Sequence, residues 1–284
     1  MKIRLIDDPK FAVMDGANQM ALDDAIFKEY EASEKPEFPV TLRFYSFNPS
    51  CVTFGYFQKA ATLNMNYIKE RGFSSMRRIT GGRAVLHHRD LTYSVIVHKS
   101  SGFFFESVLE NYRHVAEALL DGFKSLSIEG ELHPSVRGEG NKSGGAICFD
   151  SPSFLEVKVN GKKFCGSAQN KVGNCFLQHG TVYFEMDPKL HYLCMTPPET
   201  LKFMDDDMVA MFSDKLKDSA CSIADVENIA EKPDFGKLAS AITAGFTRVF
   251  GAEAISSPVT ADEMKAYDDL MKTRYGTPRW NTLR

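Results

Sequence analysis

The dipeptide Asn160-Gly161, between "FLEVKV" and "KKFCGSA", limits the fold of this 284-residue chain more than any other feature. A two-residue hairpin loop needs positive φ at both positions, and asparagine followed by glycine accepts this at the least steric cost. The flanking runs therefore predict two antiparallel strands, and "CFLQHGTVYFEM" predicts a third strand of the same meander. A meander needs an apolar cover. "FESVLENYRHVAEALLDGF" supplies one, with Val108, Tyr112, Val115 and Leu119 on one helical face, and "PDFGKLASAITAGFTRVF" spaces Leu238, Ile242, Phe246 and Val249 in the same way.

Helices and strands alternate elsewhere too. "MDGANQMALDDAIFKEY" predicts a first helix, with Asp15 and Asn18 as candidate caps. "VTLRFYSF" (Val40 to Phe47) and "CVTFGYF" (Cys51 to Phe57) predict successive strands broken by Asn48-Pro49, and Gly55 inside the second suggests a bulge or a close approach by another group. A short helix from about Leu63 to Arg71 ends at Gly72, and "LTYSVIV" is a further strand. The segment "SVRGEGNKSGGAICFDSPS" has the composition of a surface loop. From about residue 198 the chain reads as helical, and "TADEMKAYDDLMKTRYG" opens with the capping box Thr260/Glu263. The expected organisation is a mixed α+β catalytic body over 1–197, with a lid-like loop at 135–151, and a helical extension over 198–284 packed on it.

Composition excludes several function classes. With 34 basic and 37 acidic residues interspersed, the net charge of −3 gives no global field for nucleic acid or an anionic membrane, and no basic stripe with interleaved aromatics appears. No apolar run is long enough to span a bilayer and the N-terminus lacks a signal pattern, so a cytoplasmic protein is expected. The six cysteines form no C-x-x-C pair, which argues for free thiols rather than a disulfide framework or structural zinc.

The candidate chemistry centres on "RRITGGRAVLHHRDLTYSV". Gly81 and Gly82 let backbone amides approach a ligand, and Arg78 and Arg83 offer forks for a carboxylate, phosphate or polarised carbonyl, so the loop suits an acyl or phosphoryl group. A Gly-Gly pair can equally be a plain turn. His87, His88 and Asp90 have metal-ligand chemistry, but neighbours on a strand point to opposite faces, which favours structural histidines. Cys51, Cys165, Cys175, Cys194 and Cys221 sit in or beside expected strands and helices, as small buried hydrophobes do. Cys148 differs, lying in a polar loop near Lys142 where a thiol could be reached and activated. Of Lys162 and Lys163, alternation turns one inward, where it needs a partner such as a substrate carbonyl.

Together "NQMALDDAI", "LRFYSFNPSCVTFGYFQ", "RRITGGRAVLHHRDLTYSV", "CFDSPSFLEV", "VNGKKFCGSAQ", "LQHGTVYF" and "RYGTPRWN" resemble, in order and approximate spacing, the lipoate/biotin protein ligase and octanoyltransferase superfamily. The resemblance covers nearly the whole chain. It implies an α+β fold with a mixed β-sheet flanked by helices, as in biotin and lipoate ligases and class II aminoacyl-tRNA synthetase cores, holding an acyl chain in a tunnel. Arg83 stands where ATP-dependent ligases usually have a third glycine, and "CFDSPS" is similar to the cysteine-dependent octanoyltransferases. On that resemblance Cys148 matches the acyl-accepting nucleophile and Lys163 the lysine at the acyl carbonyl. Arg78, Gly81, Gly82, Arg83, His87, Gly166, Ser167 and His179 match the substrate pocket, with His87 or His179 open as a base.

The implied reaction moves octanoyl from acyl carrier protein to the lysine of a lipoyl domain, either glycine cleavage H protein or a dehydrogenase E2 subunit. It needs no cofactor, metal, nucleic acid or membrane, and a monomer is expected. The alternatives are an ATP- and magnesium-using lipoate ligase, an octanoyl amidotransferase between lipoyl domains, and a non-catalytic acyl or carrier-binding protein.

Overall fold

A computed structural model describes residues 1–134 and 155–283. The expected 135–151 loop, with Cys148 and Lys142, lies outside the described residues. The strands are β1 (Lys2–Ile6), β2 (Val13–Met14), β3 (Val40–Phe47), β4 (Cys51–Phe54), β5 (Ser74–Arg77), β6 (Val85–His87), β7 (Asp90–His98), β8 (Gly130–Pro134), β9 (Leu155–Val159), β10 (Lys162–Val172), β11 (Cys175–Tyr183) and β12 (Glu253–Ser256). The helices are α1 (Pro9–Ala12), α2 (Gly16–Ala32), α3 (Met65–Glu70), α4 (Val108–Lys124), α5 (Pro188–Met195), α6 (Pro198–Leu201), α7 (Asp206–Ser219), α8 (Phe235–Val249), α9 (Ala261–Leu270) and α10 (Pro278–Asn281).

Among the described residues nine strands form one mixed sheet in the order β12-β1-β3-β7-β11-β10-β9-β8, with β2 alongside β3. Its centre is the expected meander. Asn160 and Gly161 take φ of 51° and 75° and join β9 to β10, and β10 pairs antiparallel with β11 from Cys165↔Val182 to Val172↔Cys175. A second sheet, β5-β4-β6, lies across one face of the first.

Both faces of the large sheet are covered. Leu91, Tyr93, Val95 and Val97 of β7 face α4 and α8, in one core with Val115, Leu119, Phe123, Leu238, Ile242 and Phe246. These two helices cross at backbone contact, for a Cβ built on Gly245 would sit 2.1 Å from the Ala118 carbonyl oxygen. The opposite face packs against α2, whose Leu22, Ile26 and Phe27 meet Ile96 and Leu177. The small sheet closes the rest of that face with α3, α5 and α7.

Several sequence expectations change here. Asp15 caps α2 by accepting from Asn18 N–H at 2.9 Å, so Asn18 is the partner of the cap and not the cap. The strand from Cys51 stops at Phe54 rather than Phe57, because Gly55 begins a turn. Val108, expected on the apolar face of α4, is 53% exposed because it occupies the first turn, ahead of the sheet. The tail is not purely helical: β12 pairs parallel with β1 and extends the sheet, while the capping box Thr260/Glu263 opens α9 as expected. Glu263 also accepts from the buried Arg4 of β1, which ties this helix to the sheet edge.

Candidate active site

The strand β5 ends at Arg77, and Arg78 follows it directly. Arg78 is 3% exposed. Its Nε donates to Thr80 Oγ1 at 3.0 Å and its Nη1 to Thr53 Oγ1 at 3.3 Å. Nη2 donates to the carbonyls of Gly81 (2.7 Å) and Arg83 (2.8 Å), which fixes the path of the Gly-Gly loop. A guanidinium only donates, so each threonine oxygen accepts and its own proton points onward. Thr80 Oγ1 is 2.7 Å from His179 Nε2, and Thr53 Oγ1 is 2.9 Å from His87 Nε2.

Each imidazole then turns Nδ1 to a carboxylate, His179 to Asp23 Oδ2 at 3.4 Å and His87 to Asp90 Oδ2 at 2.8 Å. A carboxylate only accepts, so Nδ1 carries a proton in each ring, and in a neutral ring Nε2 then accepts from the threonine. Two parallel relays thus run from Arg78 through a threonine and a histidine to a buried carboxylate. Burial holds His179 below its usual pKa despite Asp23, so the ring is neutral near pH 7. Burial alone would raise Asp23, but the Arg43 guanidinium, with His179 and Tyr45, holds it below the usual carboxylate range. Asp90 accepts from the Thr92 and Thr181 hydroxyls as well as from His87.

Between the relays lies a narrow cavity of about 30 Å³, lined by Arg78, His87 and His179 together with Tyr45, Gly166 and Ser167. Five sequence-predicted residues, Arg78, His87, Gly166, Ser167 and His179, therefore meet at one site. Gly81, Gly82 and Arg83 sit one layer out. Gly82 has φ of +88°, and a Cβ on Gly55 would come within 2.0 Å of its carbonyl oxygen, so the suspected close approach at Gly55 is that of the Gly-Gly loop. Gly81 borders a second cleft, of about 540 Å³, with Tyr56, Phe57 and Trp280. Neither histidine has an unoccupied ring nitrogen, which places both as fixed parts of the wall.

Lys163 reaches the site face through a bulge. β10 pairs Lys163 with Lys158 but Cys165 with Val157, which leaves Phe164 as an extra residue. Phe164 and Cys165 both enter the core under α4, and Lys163 turns to the opposite face. There its Nζ lies 3.1 Å from Glu156 Oε1, with both residues buried. The partner expected for an inward lysine is thus met by a carboxylate of the neighbouring strand. Lys162 points outward to the Lys217 carbonyl.

The thiols within the described residues are buried, as expected. Burial pushes Cys51, Cys175 and Cys194 up to about 12 and Cys221 up to about 11, so none of these four is a ready thiolate. His88 turns away from His87 to Ser50 Oγ at 2.8 Å, and among the described residues no group of three or more His, Cys, Asp or Glu side chains is arranged to hold a metal ion. Sequence reasoning missed Asp23, Arg43, Thr53, Thr80 and Glu156. A signal existed for Asp23: together with Gln19 it falls at i, i+4 on the apolar face of α2, where a polar pair needs a buried partner. That partner is Arg43, whose guanidinium binds both.

This fold, with a Gly-Gly loop wired to buried histidines, is a class of protein domain. The family described as the Lipoyl protein ligase A/B catalytic domain matches residues 15–247, and the chain belongs to it. Within that class the chain is similar to proteins named Octanoyltransferase LipM. One, from Brevibacillus brevis, is 35% identical over 95% of this chain and 96% of the relative, and another, from Kyrpidia tusciae, is 34% identical over 93% and 94%. In fold it is similar to a bi-partite lipoate protein ligase from Thermoplasma acidophilum, with a TM-score of 0.75 at 20% identity over 95% of each chain. Among the described residues no helix is long and apolar enough to cross a membrane.

Proposed function

We propose that this octanoyltransferase of lipoate biosynthesis carries the octanoyl group as a thioester on Cys148. The observation that carries the reading is full-length similarity, at 30–35% identity, to octanoyltransferases, in a chain whose Gly-Gly loop is wired into a buried site. The donor is octanoyl-acyl carrier protein and the acceptor a lipoyl-domain lysine, of glycine cleavage H protein or a dehydrogenase E2 subunit. The Cys148 thiol gives up its proton, the thiolate attacks the thioester carbonyl, and the tetrahedral centre collapses with loss of the carrier thiolate, which takes up the proton that Cys148 released. The deprotonated lysine amine then attacks the acyl-enzyme and releases the Cys148 thiol, leaving an amide. Neither exchange consumes a nucleotide, so ATP and magnesium are not required.

In this reading Lys163, fixed by Glu156, stabilises the oxyanion at each tetrahedral stage, where one such donor is worth about 3 kcal/mol. Arg78, Gly81, Gly82, Arg83, His87, Gly166, Ser167 and His179 form the acyl-site wall. A monomer in the cytoplasm fits this scheme. The test mixes purified protein with octanoyl-acyl carrier protein and apo lipoyl domain without nucleotide, and follows both proteins by intact mass. Wild type gains one octanoyl group and passes it on, while Cys148→Ala does neither. Transfer that needs ATP, or survives in Cys148→Ala, overturns the thiol mechanism in favour of a ligase.

A further inference from the structure

The turn at Trp280 and Asn281 grips β5, the strand that leads directly into Arg78. Trp280 Nε1 donates to the Arg77 carbonyl at 2.8 Å. The Asn281 side chain accepts from Arg77 N–H at 2.9 Å and donates to the Ser75 carbonyl at 3.0 Å. β5 is an edge strand of the small sheet, so the Asn281 amide pairs with it much as the backbone of a further strand would.

Arg77 passes this grip inward. Its fully buried guanidinium donates to the carbonyls of Trp280 (3.1 Å) and Asn281 (3.0 Å) on one side, and to those of Tyr56 and Gln58 (both 2.7 Å) on the other. The bridged loop in turn holds the Gly-Gly loop, for Tyr56 N–H donates to the Thr80 carbonyl at 2.9 Å and Gly55 lies against Gly82. Arg78 starts both relays, and Thr80 is the threonine of one of them.

We infer that the Trp280-Asn281 turn is a positioning element for acyl transfer, setting the Gly-Gly loop and Arg78 through Arg77. The inference rests on reading that loop as the wall of the acyl site. A turn that merely covers apolar surface changes overall stability alone. A positioning element changes the loop and the rate of chemistry while the helices on the far side of the sheet stay as they are.

The test compares wild type, Asn281→Ala and Trp280→Phe in the full-length protein, measuring backbone hydrogen exchange and the rate of Cys148 octanoylation. Asn281→Ala removes two hydrogen bonds, so exchange across residues 78–84 rises about tenfold and the maximal acylation rate falls about tenfold, with KM for octanoyl-acyl carrier protein and exchange in α4 unchanged. Trp280→Phe keeps the ring against Tyr56 and Tyr275, loses one hydrogen bond, and gives a smaller change of the same kind. Wild-type exchange across 78–84 in Asn281→Ala, or an acylation loss that merely tracks the unfolded fraction, overturns the inference. If wild type itself is never acylated, the thioester reading fails, and the exchange data still decide whether the turn sets the loop.

Discussion

The two faces of the large sheet are buried to the same depth but made of different chemistry. Along β7 every residue is buried, yet Leu91, Tyr93, Val95 and Val97 go to α4 and α8, while Asp90, Thr92 and Ser94 go to the other side. The helix face joins one continuous apolar core. The site face holds Arg43, Asp23, Arg78, His87, His179, Lys163 and Glu156, each a group that costs free energy to bury unless it is partnered. Stability and chemistry are thus separated by the thickness of one sheet, and polar groups on the site face fix orientation rather than add much stability.

The largest expected effects test that separation directly. Phe246→Ala empties a fully buried ring position between α8 and the sheet and lowers unfolding free energy by about 3–5 kcal/mol. Asp23→Ala strips the carboxylate from buried Arg43, which keeps only neutral Gln19 of this pair, and also removes the acceptor from the Tyr45 hydroxyl and from His179 Nδ1, at a similar cost of about 3–5 kcal/mol. Urea unfolding measures both. Octanoylation per folded molecule separates them, since it is unchanged in Phe246→Ala and falls at least tenfold in Asp23→Ala, as expected when a relay is broken. Equal rates in the two variants would mean that the site face is as passive as the helix face.

Next in size is an acid sensitivity confined to the site side. His191 of α5 is buried against Tyr183, and burial pulls its pKa down to about 4. Below an unfolded-state pKa of about 6.5 the unfolded chain takes up a proton that the folded protein refuses until about pH 4, so stability is lost as pH falls through that window. The loss is on the order of 3 kcal/mol, and His179, also lowered by burial, adds in the same direction. Thermal melts of His191→Gln between pH 7 and 4 show a flatter profile than wild type if this ring is the source. An unchanged profile would remove His191 from the account.

The helix face was easier to read from sequence than the site face, for a physical reason. α4 and α8 announce themselves by local spacing, the hairpin by Asn160-Gly161, and α9 by Thr260 and Glu263, all within a few residues of chain. β1 and β12 are four or five residues long and pair parallel across the length of the protein, Lys2 with Glu253, so no turn residue marks them. Arg78, His87 and His179 were legible as residue types and as matches to a family pattern. Their connection through Thr53 and Thr80 was not, because a threonine on a strand looks like any other until its neighbour across the cavity is known. The bulge at Phe164 was invisible for the same reason, although it decides which face receives Lys163.

The smallest effects expected are also the most diagnostic, because they ask whether the two relays act as one. Thr80→Val and Thr53→Val keep side-chain shape and delete a single hydroxyl, each leaving Arg78 Nη2 held by the Gly81 and Arg83 carbonyls. Each single change is expected to cost about 1 kcal/mol of transition-state stabilisation, read as roughly a fivefold slower acylation. With both hydroxyls gone, Nε and Nη1 of Arg78 lose both threonine oxygens at once, and the loss of one makes the guanidinium's orientation depend more on the other. The double variant is therefore expected to lose more than the sum of the singles, by at least about 0.5 kcal/mol, the size of coupling seen between residues that share a partner. Additivity within about 0.3 kcal/mol would mean that the relays are independent, and that the two threonines do not position Arg78 jointly.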